Sequence, residues 1–144
     1  MIAVDTNILV YAHRRDSPWY PKAVAVVTQL CEGTGVWAIP WPCIHEFLGV
    51  VTNARYFGDP TAVAAAMDQV CAWMASPSLA LIGEKSGYWD VLGKILEASQ
   101  VRGPKVHDAR IAAICRLHGV SELWSADRDF SRFPDVKLRN PLIG

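Results

Sequence analysis

Apolar residues along this chain fall into two alternating kinds of block. Runs of three or four consecutive apolar residues, Ile2-Ala3-Val4, Val36 to Ile39 and Leu79 to Ile82, have the length and composition of buried strands. Between them apolar positions recur three and four residues apart, as at Trp19, Ala23, Val26, Val27 and Leu30, which is the spacing of one helical face. The pattern predicts helices starting near Asn7 and over 19–31, Cys43 to Thr52, Pro60 to Met74, Tyr88 to Ala98 and Val106 to Leu117. Two short strands follow, Glu122 to Trp124 and Val136 to Leu138. Gly33 and Gly119 stop helices, and Pro40 with Pro42 closes the second strand. Strands alternating with helices predict an α/β fold, a five-stranded, mostly parallel sheet wound on both faces with right-handed crossovers.

Composition narrows the class. With 144 residues, 51% of them hydrophobic and 19% charged, the chain is long enough to bury its own core and too apolar to be disordered. No repeat, linker or charge block divides it, so a single domain over 1–144 is expected. No apolar stretch approaches the roughly 18 residues of a membrane span, and no basic leader precedes Asp5. A cytoplasmic protein with no membrane contact is expected. Cys31, Cys43, Cys71 and Cys115 are scattered without a CxxC pair, and each borders an apolar run. Reduced, buried thiols without a chemical role are the expectation.

The acids carry more information. Ligands of an open parallel sheet bind beyond the carboxyl ends of its strands, where strand order reverses. Asp5 follows the first strand, Asp127 and Asp129 follow the fourth, Glu46 sits in the helix after the second, and Asp108 opens the helix of 106–117. These acids meet at one edge if strands one and four are neighbours. Clustered carboxylates repel one another unless a cation sits among them, and an all-oxygen set points to Mg²⁺ or Mn²⁺. Each acid also has a bland reading. Asp5 caps a helix, Glu46 and Asp108 complement helix N-termini, and one of Asp127 and Asp129 caps a turn. His107 reads as a surface or capping residue. Of six tryptophans most belong to the core, while Trp41, beside two prolines, suits a protein interface.

Four fragments together resemble the PIN-domain ribonucleases, and within them the VapC-type toxins of bacterial toxin–antitoxin pairs. They are Ile2-Ala3-Val4-Asp5-Thr6-Asn7, Glu46, His107-Asp108-Ala109, and Ser125-Ala126-Asp127-Arg128-Asp129-Phe130. The resemblance implies a PIN-like three-layer fold with the first and fourth strands adjacent. It also implies a catalytic acid cluster of Asp5, Glu46, Asp108 and Asp127. Asp5 and Asp108 would be the direct ligands of Mg²⁺ or Mn²⁺, with Asn7 and Ser125 in support. Ser125 stands where Thr is frequent and keeps the hydroxyl. Asp127 is favoured over Asp129 at the metal. An RNA substrate (transfer or ribosomal), a VapB-like antitoxin and a homodimer are implied as well.

The formal charge of zero initially argues against a nucleic-acid partner. Setting the four cluster acids against bound metal leaves ten acids facing fourteen basic residues. Arg102, Lys105, Arg110 and Arg116, with Arg14, Arg15, Arg128 and Arg132, are then expected to form a basic rim for a phosphate backbone. Two competing readings differ in kind. A PIN-fold module that binds RNA or protein without cutting needs no metal. A phosphatase with Asp5 as covalent nucleophile needs a second acid where this chain has Asn7.

Overall fold

A computed structural model describes residues 1–144. Its strands are β1 (Ile2–Val4), β2 (Trp37–Pro40), β3 (Leu79–Ile82), β4 (Glu122–Trp124) and β5 (Lys137–Arg139). Its helices are α1 (Thr6–His13), α2 (Tyr20–Glu32), α3 (Trp41–Val51), α4 (Val63–Met74), α5 (Tyr88–Ser99) and α6 (Val106–Leu117), with 3₁₀ turns at Gly103–Lys105 and Arg128–Arg132. The strands form one sheet in the order β3-β2-β1-β4-β5. Every neighbouring pair is parallel. The expected "mostly parallel" sheet is parallel throughout, and the six helices flank it as three layers.

The three central strands, only three or four residues long, hold because their side chains are buried. Ala3, Val4, Trp37, Ala38 and Ile39 are fully enclosed and Leu123 nearly so. A cluster of 33 buried apolar residues runs through β1, β2, β4 and the inner faces of the helices. The Trp37 indole N–H donates to Ser76 Oγ at 3.2 Å, so even the largest core side chain has its polar atom paired. Phe47 of α3 meets His13 of α1 and Trp73 of α4 edge-on, at centroid distances of 5.3 and 4.9 Å. That contact locks three helices together beneath the face that carries Glu46. No helix is long and apolar enough to cross a membrane.

Several boundaries shift from the sequence pattern, among them the start of α3, at Trp41 rather than Cys43. The helix expected from Pro60 begins at Val63. Thr61 is held elsewhere: its N–H donates to Val51 O at 2.8 Å and its hydroxyl meets His13 and Arg14. The second strand runs through Pro40, in register with Ile82, and Pro42 lies in the first turn of α3, where a missing N–H costs nothing. The fifth strand starts one residue late, at Lys137. The thiols are only half as expected. All four are free, yet only Cys43 and Cys115 are buried; Cys71 is exposed on α4 and Cys31 is partly covered.

Phe47→Ala is expected to lower the unfolding free energy by about 3–5 kcal/mol, because the ring is fully buried and three helices share it. Urea denaturation at constant slope measures the loss.

Candidate active site

The sheet brings the first two site residues together by register alone. Val4 pairs with Trp124, so the chain leaves β1 and β4 at the same level, and the next residues are Asp5 and Ser125. This is where strand order reverses, with β2 and β3 built to one side of β1 and β4 and β5 to the other. Asp5 N–H still donates to Trp124 O at 2.9 Å, after which Asp5 turns to become the N-cap of α1. Its side chain accepts from Thr6 N–H at 2.8 Å, so the capping role expected of it is present.

Three further donors hold the same carboxylate. Ser125 Oγ–H donates to Asp5 Oδ2 at 2.7 Å, and Asn7 Nδ2 approaches that oxygen at 3.3 Å. Cys43 Sγ–H reaches Oδ1 at 3.5 Å from the first turn of α3. Asn7 also donates to Ser125 Oγ at 3.1 Å and accepts from Ala126 N–H at 3.0 Å. Asp127 N–H completes the chain by donating to Ser125 Oγ at 3.0 Å. Asn7 and Ser125 therefore stand beside the acid, fastening the α1 start to the segment after β4. The amide of Asn7 has no proton to give as an acid, which removes the structural basis for the phosphatase reading.

Asp5, Glu46, Asp108 and Asp127 line one cavity of about 240 Å³, with Thr6 and Asn7 at its floor. Val10, Val50, Ile111 and Phe130 form its apolar wall. Asp108 projects from the first turn of α6 and is half-buried; Glu46 lies mid-helix on α3 and is exposed. Asp127 serves twice, lining the cavity and accepting from Asp129 N–H at 2.9 Å as the cap of the following turn. Asp129 does not line the cavity. Its carboxylate points to Lys105, which holds its carboxyl below the usual range.

Burial and mutual repulsion act on the acids. Enclosure raises the Asp5 carboxyl to about 6, opposed by the Ser125 and Thr6 hydrogen bonds and reinforced by the charge of Glu46. Asp108 is raised by burial and by Asp127, with Lys105, 3.9 Å away, pulling the other way. These carboxylates line the cavity without three of them being drawn to ion-holding distance. The donor set nonetheless suits a hard divalent cation. It is all oxygen, it is self-repelling, and the buried Thr6 hydroxyl beside it has no hydrogen-bond partner.

The basic rim is thinner than the charge balance suggested. Arg14 pairs with Asp16, Arg116 with Asp135 and Arg110 with Glu84, so local acids compensate each of them. Arg15, Arg102, Arg128 and Arg132 are exposed and carry no ion pair. Cys43 and Thr6 are the contributors that the sequence did not reveal. Cys43 sits in an apolar run and looked like core, and only the packing of α3 against β1 brings its thiol to Asp5. Burial pushes that thiol well above its ordinary value, so it stays protonated and donates.

A family model described as the PIN domain matches residues 2–136. Ribonuclease VapC48 of Mycobacterium tuberculosis is 34% identical over 97% of both chains. Among solved structures, VapBC2 from Rickettsia felis, bound to a DNA fragment from their promoter, superposes with a TM-score of 0.69 at 20% identity. It covers 97% of this chain and 98% of its own. Mycobacterium tuberculosis VapC20, described as a sarcin-ricin loop cleaving toxin, gives 0.67 at 17% identity over 91% and 93%. The chain belongs to the PIN domain family, among the VapC ribonucleases.

Because Asp5 titrates higher in the folded state than in the unfolded chain, the metal-free fold is favoured by its protonated form. Stability is fullest below about pH 4 on this account and is lost as pH rises through about 6, by up to about 3 kcal/mol from Asp5 alone. Urea midpoints measured in EDTA between pH 4 and 7.5 are expected to fall for the wild type and to fall less for Asp5→Asn. Equal slopes would show that Asp5 does not carry the effect.

Proposed function

We propose that this chain is a divalent-cation-dependent endoribonuclease, the toxin of a toxin–antitoxin pair that blocks translation by cutting structured RNA, transfer or ribosomal. The observation that carries the reading is one cavity lined by four carboxylates from four separate parts of the sequence, in a chain aligned end to end with VapC ribonucleases. All of residues 1–144 serve as one nuclease unit.

Asp5 and Asp108 would hold Mg²⁺, or Mn²⁺ in its place, with Glu46 and Asp127 completing the set. When bound, such a cation neutralises charge on the phosphate and makes a water more acidic. The chain's own residues do the rest. Ser125, Asn7, Thr6 and Cys43 hold Asp5 in one orientation. Glu46, exposed on α3, is free to orient the attacking water and take its proton. The water oxygen bonds to phosphorus, the bond to one ribose oxygen breaks, and that oxygen leaves with a proton taken from solvent. Arg15, Arg102, Arg128 and Arg132 supply the positive charge that attracts the backbone.

A VapB-like antitoxin fits the reading, in keeping with the fold shared with VapBC2 from Rickettsia felis. Trp19, Tyr56, Met67 and Trp89 leave apolar surface exposed for such a partner and for a second copy of the chain in a homodimer. A cytoplasmic location suits an RNA-cutting toxin.

Purified, antitoxin-free protein incubated with total cellular RNA and Mg²⁺ is expected to give discrete fragments. Those fragments should vanish in EDTA and fall at least 100-fold with Asp108→Asn (about 3 kcal/mol in the barrier). Intact RNA under all conditions would favour the non-cutting binding module instead.

A further inference from the structure

Next to the acidic cavity lies a second depression of about 320 Å³, lined by Pro42, His45, Glu46, His107, Arg110 and Ile111. Glu46 and Ile111 line both, so the two spaces share a wall. The arrangement follows from helix geometry. On α3 the cavity acid Glu46 is preceded by His45, and on α6 the cavity acid Asp108 is preceded by His107. Adjacent helical residues point about 100° apart. Each helix therefore offers its acid to the cavity and its imidazole to the neighbouring depression.

The lining, with Trp41 beside it against His45, has the chemistry of a nucleotide site. The His45 ring stacks on Trp41, with centroids 6.3 Å apart and planes 29° from parallel. Trp41 keeps 39% of its surface exposed. A Cβ added at Gly83 would lie 3.4 Å from the indole, so the backbone there forms a seat for the ring. Across the depression Arg110 is fixed through Nε to Glu84, and its two terminal nitrogens make no hydrogen bond. An exposed Trp41–His45 aromatic pair, a second imidazole from His107 and an oriented guanidinium fork are what an unstacked base and its phosphate engage.

We propose that this depression is a nucleotide subsite, holding the RNA residue next to the scissile phosphate with its base on the His45–Trp41 surface and its phosphate on Arg110. The proposal rests on the ribonuclease reading. It makes the choice of cleavage site partly a property of α3 and α6 rather than of the acid cluster.

The test compares full-length wild type with His45→Ala, Trp41→Ala and Arg110→Gln. The first probe is total cellular RNA with sequencing of the new ends. The second is a synthetic RNA spanning the strongest wild-type cut, used for kinetics. Each variant is expected to raise KM about fivefold or more, leave kcat within about twofold, and blur the nucleotide preference beside the cut. His45→Phe and Arg110→Lys should restore part of the loss, and thermal midpoints should match the wild type. Wild-type cleavage with unchanged KM and unchanged end sequences in folded variants would overturn the subsite and leave the nuclease reading standing, with the surface free for a protein partner. No cleavage by the wild type would remove both.

Discussion

The Ser125 hydroxyl, 2.7 Å from Asp5 and accepting from Asn7 and from the Asp127 backbone, is the point on which the site turns. It joins the ends of β1 and β4, which are 120 residues apart in sequence, at the one place where the sheet reverses its strand order. Asp5 has been taken almost wholly out of water, at 4% exposure, and a lone buried carboxylate is costly. Four donors offset that cost, one from its own helix start, one from Asn7, one from α3 and one from the segment after β4. Two of these, from Cys43 and Ser125, also fix where Asp5 points relative to α3 and β4. Positioning the acid and fastening the fold are thus one set of bonds.

A consequence is that the site is stressed without a cation. Burial lifts Asp5, while Glu46, Asp108 and Asp127 bear on one another across the same cavity. Lys105 relieves part of this, but it is shared with Asp129 on the rim. The chain thus holds excess negative charge in a partly apolar pocket, at a cost in stability that a cation bound there would offset.

Much of this was legible in the sequence. Five strands and the alternating helices followed from apolar spacing, because the central strands β2, β1 and β4 are buried on both faces and each helix on one. Asp5, Asp108 and Asp127 were legible as residues placed just beyond strand ends or at a helix start, although each also had a capping explanation; Glu46, expected near the start of its helix, lies mid-helix instead. Asp5 and Asp127 do cap, and both also line the cavity, since the geometry of a cap directs the carboxylate toward the strand ends. What stayed hidden depended on contacts between distant segments. Cys43 gave no sign of touching Asp5, because a thiol in an apolar run is indistinguishable from core packing. The pairing of Arg110 and Arg116 was equally invisible, since their partners Glu84 and Asp135 are brought close by the fold, whereas Arg14 meets Asp16 only two residues along the chain. Thr61 escaped for the same reason, its bonds to α1 being what delays the start of α4.

The central claim is that carboxylates from separate elements act as one cation-holding set anchored on Asp5. The most direct measurement is a Mn²⁺ titration near pH 7.5 that follows the electron paramagnetic resonance signal of the free ion. Saturable Mn²⁺ uptake by the wild type is predicted, lost in both Asp5→Asn and Asp108→Asn and retained in Asp129→Asn. Absence of uptake by folded wild-type protein, or a loss confined to Asp129→Asn, would contradict it.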